Sequence, residues 1–384
     1  KTSTSIYSYM NKELPYDYFD LYGKLTLATD NGSKINIFGL NFTDKVKQYE
    51  AIQNFNWVNR AFGTNFLIIP GTSSALVEGV IAYSDYTMNM NETTTNQNQM
   101  SNIGGFNVGM SVTNFFGDDR LKYGMEKEGN TTKTSYKIND TITDYSTEIG
   151  LYAIYKLLYR NVLVEPSLRL SYYASLGDVF LEPRLSAKWN VTKKFRFKLA
   201  SGMYSQTFLD TKSDRDIVNL FTGYLTVTPD LNIVDSFRGN PINSYVQTSN
   251  HFIFGAEYDI LRNFNLNVEL YYKTMSNLTS INRDKLYADD QEHIEKPGYL
   301  RKEYTVENGK AYGADFSLKY DDGRLYVWTI YSLGKVIREG EMQTYAPHYD
   351  RRHNVNVLIN YQMGQSRDFE ISVRWNYGSG FPYS

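Results

Sequence analysis

The chain has 384 residues, 40 Lys+Arg against 42 Asp+Glu, a net charge of −2 and no cysteine. Disulfide scaffolds, thiolate zinc sites and thiol catalysis are thereby excluded, and the balanced charge gives no electrostatic case for a nucleic-acid partner. Tyr 34, Phe 21 and Trp 4 make the chain 15% aromatic, yet its mean hydropathy is only −0.47. Many rings in a polar background suit thin elements that are apolar on one side. No apolar run approaches the roughly 18 residues of a membrane-spanning helix. Lys1–Met10 carries no signal-peptide core.

Taken in chain order, the hydrophobic period is two rather than 3.6. Phe106, Val108, Met110 and Val112 alternate with Asn107, Gly109, Ser111 and Thr113. Phe264, Leu266, Val268, Leu270 and Tyr272 alternate with Asn265, Asn267, Glu269 and Tyr271. Val355, Val357, Ile359 and Tyr361 share a face, and Phe369, Ile371, Val373, Trp375 and Tyr377 alternate with Glu370, Ser372, Arg374 and Asn376. Such segments are strands with one apolar and one wet face.

Tight-turn signals fall at 30–33 (Asp-Asn-Gly-Ser), 70–74, 117–119, 159–161, 190–194, 260–263, 321–323 and 363–367. Longer polar stretches lie between them at Met90–Ser101, Gly129–Tyr145, Thr207–Val246, Asn277–Gly309 and Lys335–Tyr349, with shorter ones near Asp44–Gln53 and Ser175–Asp178. Eight tight turns joining strand pairs predict about sixteen strands, with every tight turn at one end of the sheet. Transmembrane barrels have that asymmetry, and a sheet in lipid must close because open edges leave backbone groups unsatisfied. The expected fold is therefore all-β, a transmembrane antiparallel up-and-down β-barrel. A soluble propeller would show a repeat of roughly 40–50 residues, and none is present. Trp189, Tyr272, Tyr320, Tyr361, Trp375 and Tyr377 sit near strand ends, where aromatic girdles form.

Several segments resemble the barrel of TonB-dependent outer-membrane receptors, the large SusC-like receptors in particular. They are Glu182–Trp189 followed by Phe195–Gln206, Asn308–Asp315, Ala346–His353 with Asn354 and Asn356, and Gly378–Tyr383. Asp315 stands where the family more often has Glu. The resemblance implies about sixteen strands of a 22-stranded barrel, without the plug that fills it or the terminal strands. It also implies nutrient import (a siderophore, glycan or peptide) through the outer membrane of a Gram-negative bacterium. Long loops would be extracellular and short turns periplasmic. The implied partners are outer-membrane lipid, a plug domain, TonB and a surface lipoprotein. Two alternatives remain: a receptor-like barrel serving as a structural subunit of a larger outer-membrane complex, and an open porin. The latter is possible because porins reach sixteen strands.

No cofactor motif or catalytic constellation stands out. Ser249 and His251 lie two apart on one strand face but lack an orienting partner, and the four histidines show no metal-ligand spacing. Inward-facing charge is expected at Glu257, Glu269, Asp315, Lys319 and Arg374, with Lys273, Arg196 and Lys198, to meet a plug or solvate one another. Ligand or partner capture is expected on the two longest connections, because loops on a rigid scaffold carry binding residues. The residues suited to it are Arg215, Asp216, Tyr224, Arg238, Tyr287, Asp289, Asp290, Tyr299 and Arg301. Their mixture of rings, carboxylates and guanidinium groups would stack on sugar faces or grip a peptide. Ser213 is placed to cap a short helix whose apolar face is Ile217, Leu220 and Phe221.

Overall fold

The computed structural model describes residues 16–46, 53–71, 74–92, 97–137, 140–210 and 223–382. The strands in chain order begin with β1 (Tyr16–Ala28), β2 (Lys34–Val46), β3 (Gln53–Ile68), β4 (Ala75–Glu92), β5 (Gln97–Phe116), β6 (Asp119–Lys137) and β7 (Asp140–Tyr159). They continue with β8 (Val162–Tyr173), β9 (Asp178–Asn190) and β10 (Phe195–Gln206). Four short strands follow inside one connection: β11 (Phe208–Asp210), β12 (Tyr224–Thr226), β13 (Ser236–Phe237) and β14 (Asn240–Pro241). The rest are β15 (Gln247–Leu261), β16 (Phe264–Ile281), β17 (Tyr304–Asp321), β18 (Leu325–Glu339), the two-residue β19 (Thr344–Tyr345), β20 (His353–Met363) and β21 (Phe369–Gly378).

Sixteen of these are long wall strands, each antiparallel to the one before it, from β1–β2 through β9–β10, β10–β15 and β18–β20 to β20–β21. Among the described residues β1 is paired only by β2 and β21 only by β20. All eight tight turns fall at one end of the sheet, at the expected places. Gly32 (φ 85°) and Gly117 (φ 64°) supply left-handed residues there. At the turn after β17, the Asp322 carboxylate accepts from the backbone N–H groups of Arg324 and Leu325 (2.9 and 2.7 Å).

The other end departs from expectation. Met90–Ser101 and Gly129–Tyr145 are strand for most of their length, since β4 runs to Glu92, β5 starts at Gln97, β6 reaches Lys137 and β7 starts at Asp140. Likewise Asn277–Gly309 contracts to a connection over 282–303, and Lys335–Tyr349 keeps β18 as far as Glu339. Above the apolar band both faces of a strand are wet, so a polar sequence there carries no alternation and reads like a loop.

The register keeps one apolar face continuous. Leu270 is opposite Phe254 and Ala314, Phe316 opposite Tyr331, Tyr331 opposite Val355, and Val357 opposite Trp375. Toward the other edge, Met125 is opposite Met110 and Leu151, and Phe62 opposite Tyr83. These outer residues are bare: Phe62 is 65% exposed, Leu270 50% and Val373 51%. Rings border the band. Phe264 meets Tyr320 (4.6 Å) at the tight-turn end and Tyr272 meets Tyr312 (6.4 Å) at the other. Eight residues of β16 separate the two rows, ~26 Å of strand and about 20 Å along the normal at a ~40° tilt, close to the apolar band of a barrel in lipid. The opposite, inner face carries the charges. Among the described residues a dry core lies at the long-connection end, where Leu225, Val227, Val246 and Val306 are 0% exposed.

Candidate functional site

That core belongs to the connection from β10 to β15, whose described part, 223–246, folds back onto the sheet. Tyr224 donates its backbone N–H to Ser101 Oγ (2.9 Å), and Thr134 Oγ1 donates to Tyr224 O (3.0 Å). The Tyr224 ring meets Tyr86 edge-on (6.2 Å). Tyr86, Ser101 and Thr134 all stand on the inner face, opposite the apolar one. Further along, Val234 N–H donates to Tyr304 O (3.1 Å) and Ser244 Oγ to Asp178 Oδ2 (2.7 Å). The Arg238 guanidinium donates to Gly340 O (2.9 and 3.2 Å). The segment thus touches β4–β6 on one side and the ends of β9, β17 and β18 on the other, and crosses the mouth of the sheet. Leu209, Leu225, Val227, Ile233, Val234, Tyr304 and Val306 form its core, with Ile142, Leu176, Tyr245 and Tyr299 packed against it.

The connection 282–303 docks beside it. Glu303 and Tyr304 both donate N–H to Asn232 O (3.1 and 3.0 Å), and Asn282 Nδ2 donates to Tyr299 O and Lys302 O (2.7 and 2.9 Å). The expected loop residues gather here. Asp289 pairs with Arg301 and with Lys302 (2.9 Å), and with its side chain 18% exposed its carboxyl is pulled down to about 2, chiefly by Lys302. Asp290 accepts from His293 Nδ1 (2.7 Å), and the His293 ring leans on Tyr287 (5.2 Å), over which Lys296 also sits. Tyr224, Arg238, Tyr299 and the Asp289–Arg301 pair are therefore woven into the cap's own packing, while Tyr287, Asp290 and His293 lie at its surface. Arg215, Asp216 and the expected helix at Ser213 lie outside the described residues.

The expected inward charges share the inner face. Glu257 accepts from Arg196 (2.7 Å), Lys198 (2.6 Å) and Asn265 (3.0 Å). Glu269 is the register partner of Asp315, Lys319 reaches over the Tyr326 ring (5.2 Å), and Arg374 stands opposite Leu358. Lys273 likewise stands on this face. Sequence reasoning missed a second charge ladder, in which Arg169 bridges Glu126 (2.7 Å) on β6 and Glu148 (3.0 Å) on β7. It also missed an aromatic patch beside the mouth on the inner face. Phe55 and Trp57 stack there (5.4 Å) against buried Met88 and Met90 and half-buried Tyr86. Alternation hid the patch, because an inward Trp or Met two residues from another breaks the rule that the inner side is polar, whereas the ladder joins three strands whose register local sequence does not give. Ser249 and His251 do share the inner face, but the His251 ring lies against Tyr204 (4.7 Å) and Ser249 Oγ has no hydrogen-bond partner. Among the described residues no group of three or more His, Asp or Glu side chains is arranged to hold a metal ion.

No family model matches the sequence, and no curated protein matches it. Solved structures do. The hemophore receptor HasR of Serratia marcescens, seen with its hemophore HasA and heme, superposes with a TM-score of 0.70 at 12% identity, covering 97% of this chain and 66% of that one. The copper transporter OprC gives 0.68 at 9% identity (94% and 58%), and the FrpB iron transporter of Neisseria meningitidis 0.66 at 10% (94% and 59%). The fold is the barrel of the TonB-dependent outer-membrane receptors. The chain spans about three fifths to two thirds of the length of these structures.

Proposed function

We propose that this chain forms the wall and mouth of an outer-membrane receptor that imports a nutrient. In this reading the long-connection end faces the medium, the tight turns face the periplasm, and a plug domain with TonB supplies gating and energy. The observation that carries it is the cap. Segment 223–246 shares a dry core with the start of β17, and connection 282–303 packs Tyr299 against it, so the opening is a built surface rather than a gap between floppy loops. An open porin needs a water path where this core lies. A surface of rings and paired charges over a charged lumen suits capture and handover of a solute with both apolar and hydrogen-bonding groups: a siderophore, a glycan fragment or a peptide. Tyr287, Asp290 and His293 on the cap and Trp57 and Tyr86 beside the mouth are the side chains we assign to first contact. A surface lipoprotein would dock on the same cap.

The test is uptake. Cells lacking the gene, cells lacking TonB, and cells carrying a Tyr287→Ala/Trp57→Ala receptor are compared for accumulation of labelled siderophores, oligosaccharides and peptides. One class of solute should be lost in the first two strains and reduced in the third. Normal uptake of every class without the gene would overturn the import reading. In that event, stable co-purification with other barrels would assign the chain to a structural subunit, and high single-channel conductance would assign it to a porin.

A further inference from the structure

Between the inserted segment and the wall lies a seam of oxygen atoms that the packing of the mouth leaves unused. Its two ends are pinned. Tyr224 is held at Ser101 and Thr134, as described, and four residues on Thr228 Oγ1 donates to Asp144 Oδ1 (3.3 Å). Leu225 and Val227 turn away from the wall into the apolar core. In an extended stretch alternate side chains share a face, so Thr226 points to the wall together with the Tyr224 ring and Thr228. That places it over β6, between contacts to β5 and β7. The inner-face residue of β6 at this level is Thr132, which is the register partner of Asp144.

Thr132 is 0% exposed and Thr226 1%. Thr132 Oγ1, Thr226 Oγ1 and Asp144 Oδ2 are all buried, and no protein group hydrogen-bonds to any of them. Buried polar atoms are almost always paired, and each exception calls for a reason. Three exceptions within one seam, from three different elements, are not explained by a local packing fault. The charge is also one-sided: burial first, and the negative charge of Asp230 beside it, push the Asp144 carboxyl up, against the hydrogen bond from Thr228. The site lies beyond the apolar band, with Asp144 fifteen residues above the tight turn that ends β7 at Tyr159.

We propose that Thr132 Oγ1, Thr226 Oγ1 and Asp144 Oδ2 are the protein ligands of a calcium ion that fastens the inserted segment to the barrel wall. The donors are all oxygen, two hydroxyls and a carboxylate, with Asp230 on hand to contribute charge directly or through water. Such a set selects a hard cation over zinc or copper. Calcium accepts about six to eight oxygens in irregular geometry and shares its shell with water, whereas magnesium holds to a near-ideal octahedron and gives up water reluctantly. A seam made by two facing surfaces suits the former. The ion would neutralise the carboxylates and satisfy both hydroxyls, so this segment would be held more tightly with calcium than without it. The inference stands apart from the import reading, since it concerns how the mouth is held and not what passes it.

Hydrogen exchange on the purified full-length protein tests it, in EGTA and in calcium, with magnesium as control. Exchange at 224–228 should slow about tenfold when calcium exceeds its Kd about tenfold. Magnesium should have a much smaller effect, and tight-turn amides should not change. Asp144→Asn and, separately, Thr226→Val should lose the calcium response; the milder threonine variant keeps the test decisive if Asp144→Asn fails to fold. Equal exchange of the unaltered protein in EGTA and calcium would overturn the proposal, as would a calcium response that survives in both variants. Protection that instead rises as pH falls, with calcium inert, would also overturn it and assign the seam to a protonated Asp144.

Discussion

Gly150 is the floor on which Arg169 lies: a Cβ at this position would overlap the Arg169 guanidinium. Only a residue without a side chain lets that planar group lie across β7 and reach Glu126 on one flank and Glu148 on the other. The arrangement links three successive strands through their inner face, and Glu128, held by Asn107 (2.9 Å), adds a further carboxylate beside it. Removing the cation leaves these carboxylates facing one another. A fully buried pair broken this way costs about 3–5 kcal/mol. The side chains here are 21–36% exposed, so the expected loss is nearer 1–2 kcal/mol. Gly150→Val and Arg169→Met should each lower the denaturant midpoint of the refolded barrel, and the double variant should lose little more than either alone. Additive losses would show that Gly150 and Arg169 act independently.

The cap's stability rests on its own core. Leu225 is 0% exposed among Val227, Ile233, Val306 and their neighbours. Leu225→Ala removes three carbons from a closed site, a change that costs about 2–5 kcal/mol in such positions. Because the strands below are paired along their whole length, the loss should stay local. Proteolysis of 223–246 on intact cells should accelerate, while the heat-modifiable mobility of the folded barrel on gels is unchanged. Loss of that mobility shift would mean that the cap is needed for the wall to form.

The wall was legible in the sequence because water and hydrocarbon impose opposite demands on alternate residues. Leu270 against Glu269, or Val373 against Arg374, gives the face of each strand without any knowledge of its neighbours. The tight turns were legible from their chemistry, as at Asp30–Ser33 and Asp321–Gly323. The ends of β4–β7 were not, because a strand with water on both sides has no pattern to display. The mouth was half legible. Tyr224, Arg238 and Tyr299 were singled out as loop residues suited to binding, and the structure spreads them across the mouth, Tyr224 against β5 and β6, Arg238 at the end of β18 and Tyr299 beside Asn282. Their hydrogen bonds to Ser101, Gly340 and Asn282, however, span between 17 and 123 positions of chain, and local sequence holds no record of a contact so distant.

The two faces make a paired prediction. Val268 looks outward between Ala256 and Phe316, midway between the Phe264 and Tyr272 ring rows that border the apolar band, and Asn267 looks inward between Glu257 and Ser317. An arginine on the lipid face near the midplane costs about 2–4 kcal/mol, whereas one on the lumen side meets water. Val268→Arg should therefore depress the stability of the barrel refolded into vesicles by that amount. Asn267→Arg, beside the Glu257 carboxylate, should change it by less than 1 kcal/mol or so. Equal effects would refute the assignment of faces.

Acid should loosen the cap at 282–303 before it reaches the wall. The Asp289 carboxyl, held by Lys302 and Arg301, is pulled down to about 2. Free aspartate titrates near ~3.9. A carboxyl whose folded value is depressed gives its full stabilisation above the unfolded value and loses it as pH falls toward the folded one. The pairing is thus intact at neutral pH, weakens from about pH 4 downward and is gone below about pH 2. Asp290, lowered by its contact with His293, adds in the same direction. Exchange at 285–302, followed by mass spectrometry after brief acid pulses, should rise through this window while tight-turn amides stay protected. Asp289→Asn should open the segment at neutral pH and flatten most of its acid response. A variant as closed as the parent at pH 7, or as acid-sensitive, would show that other contacts hold this half of the cap.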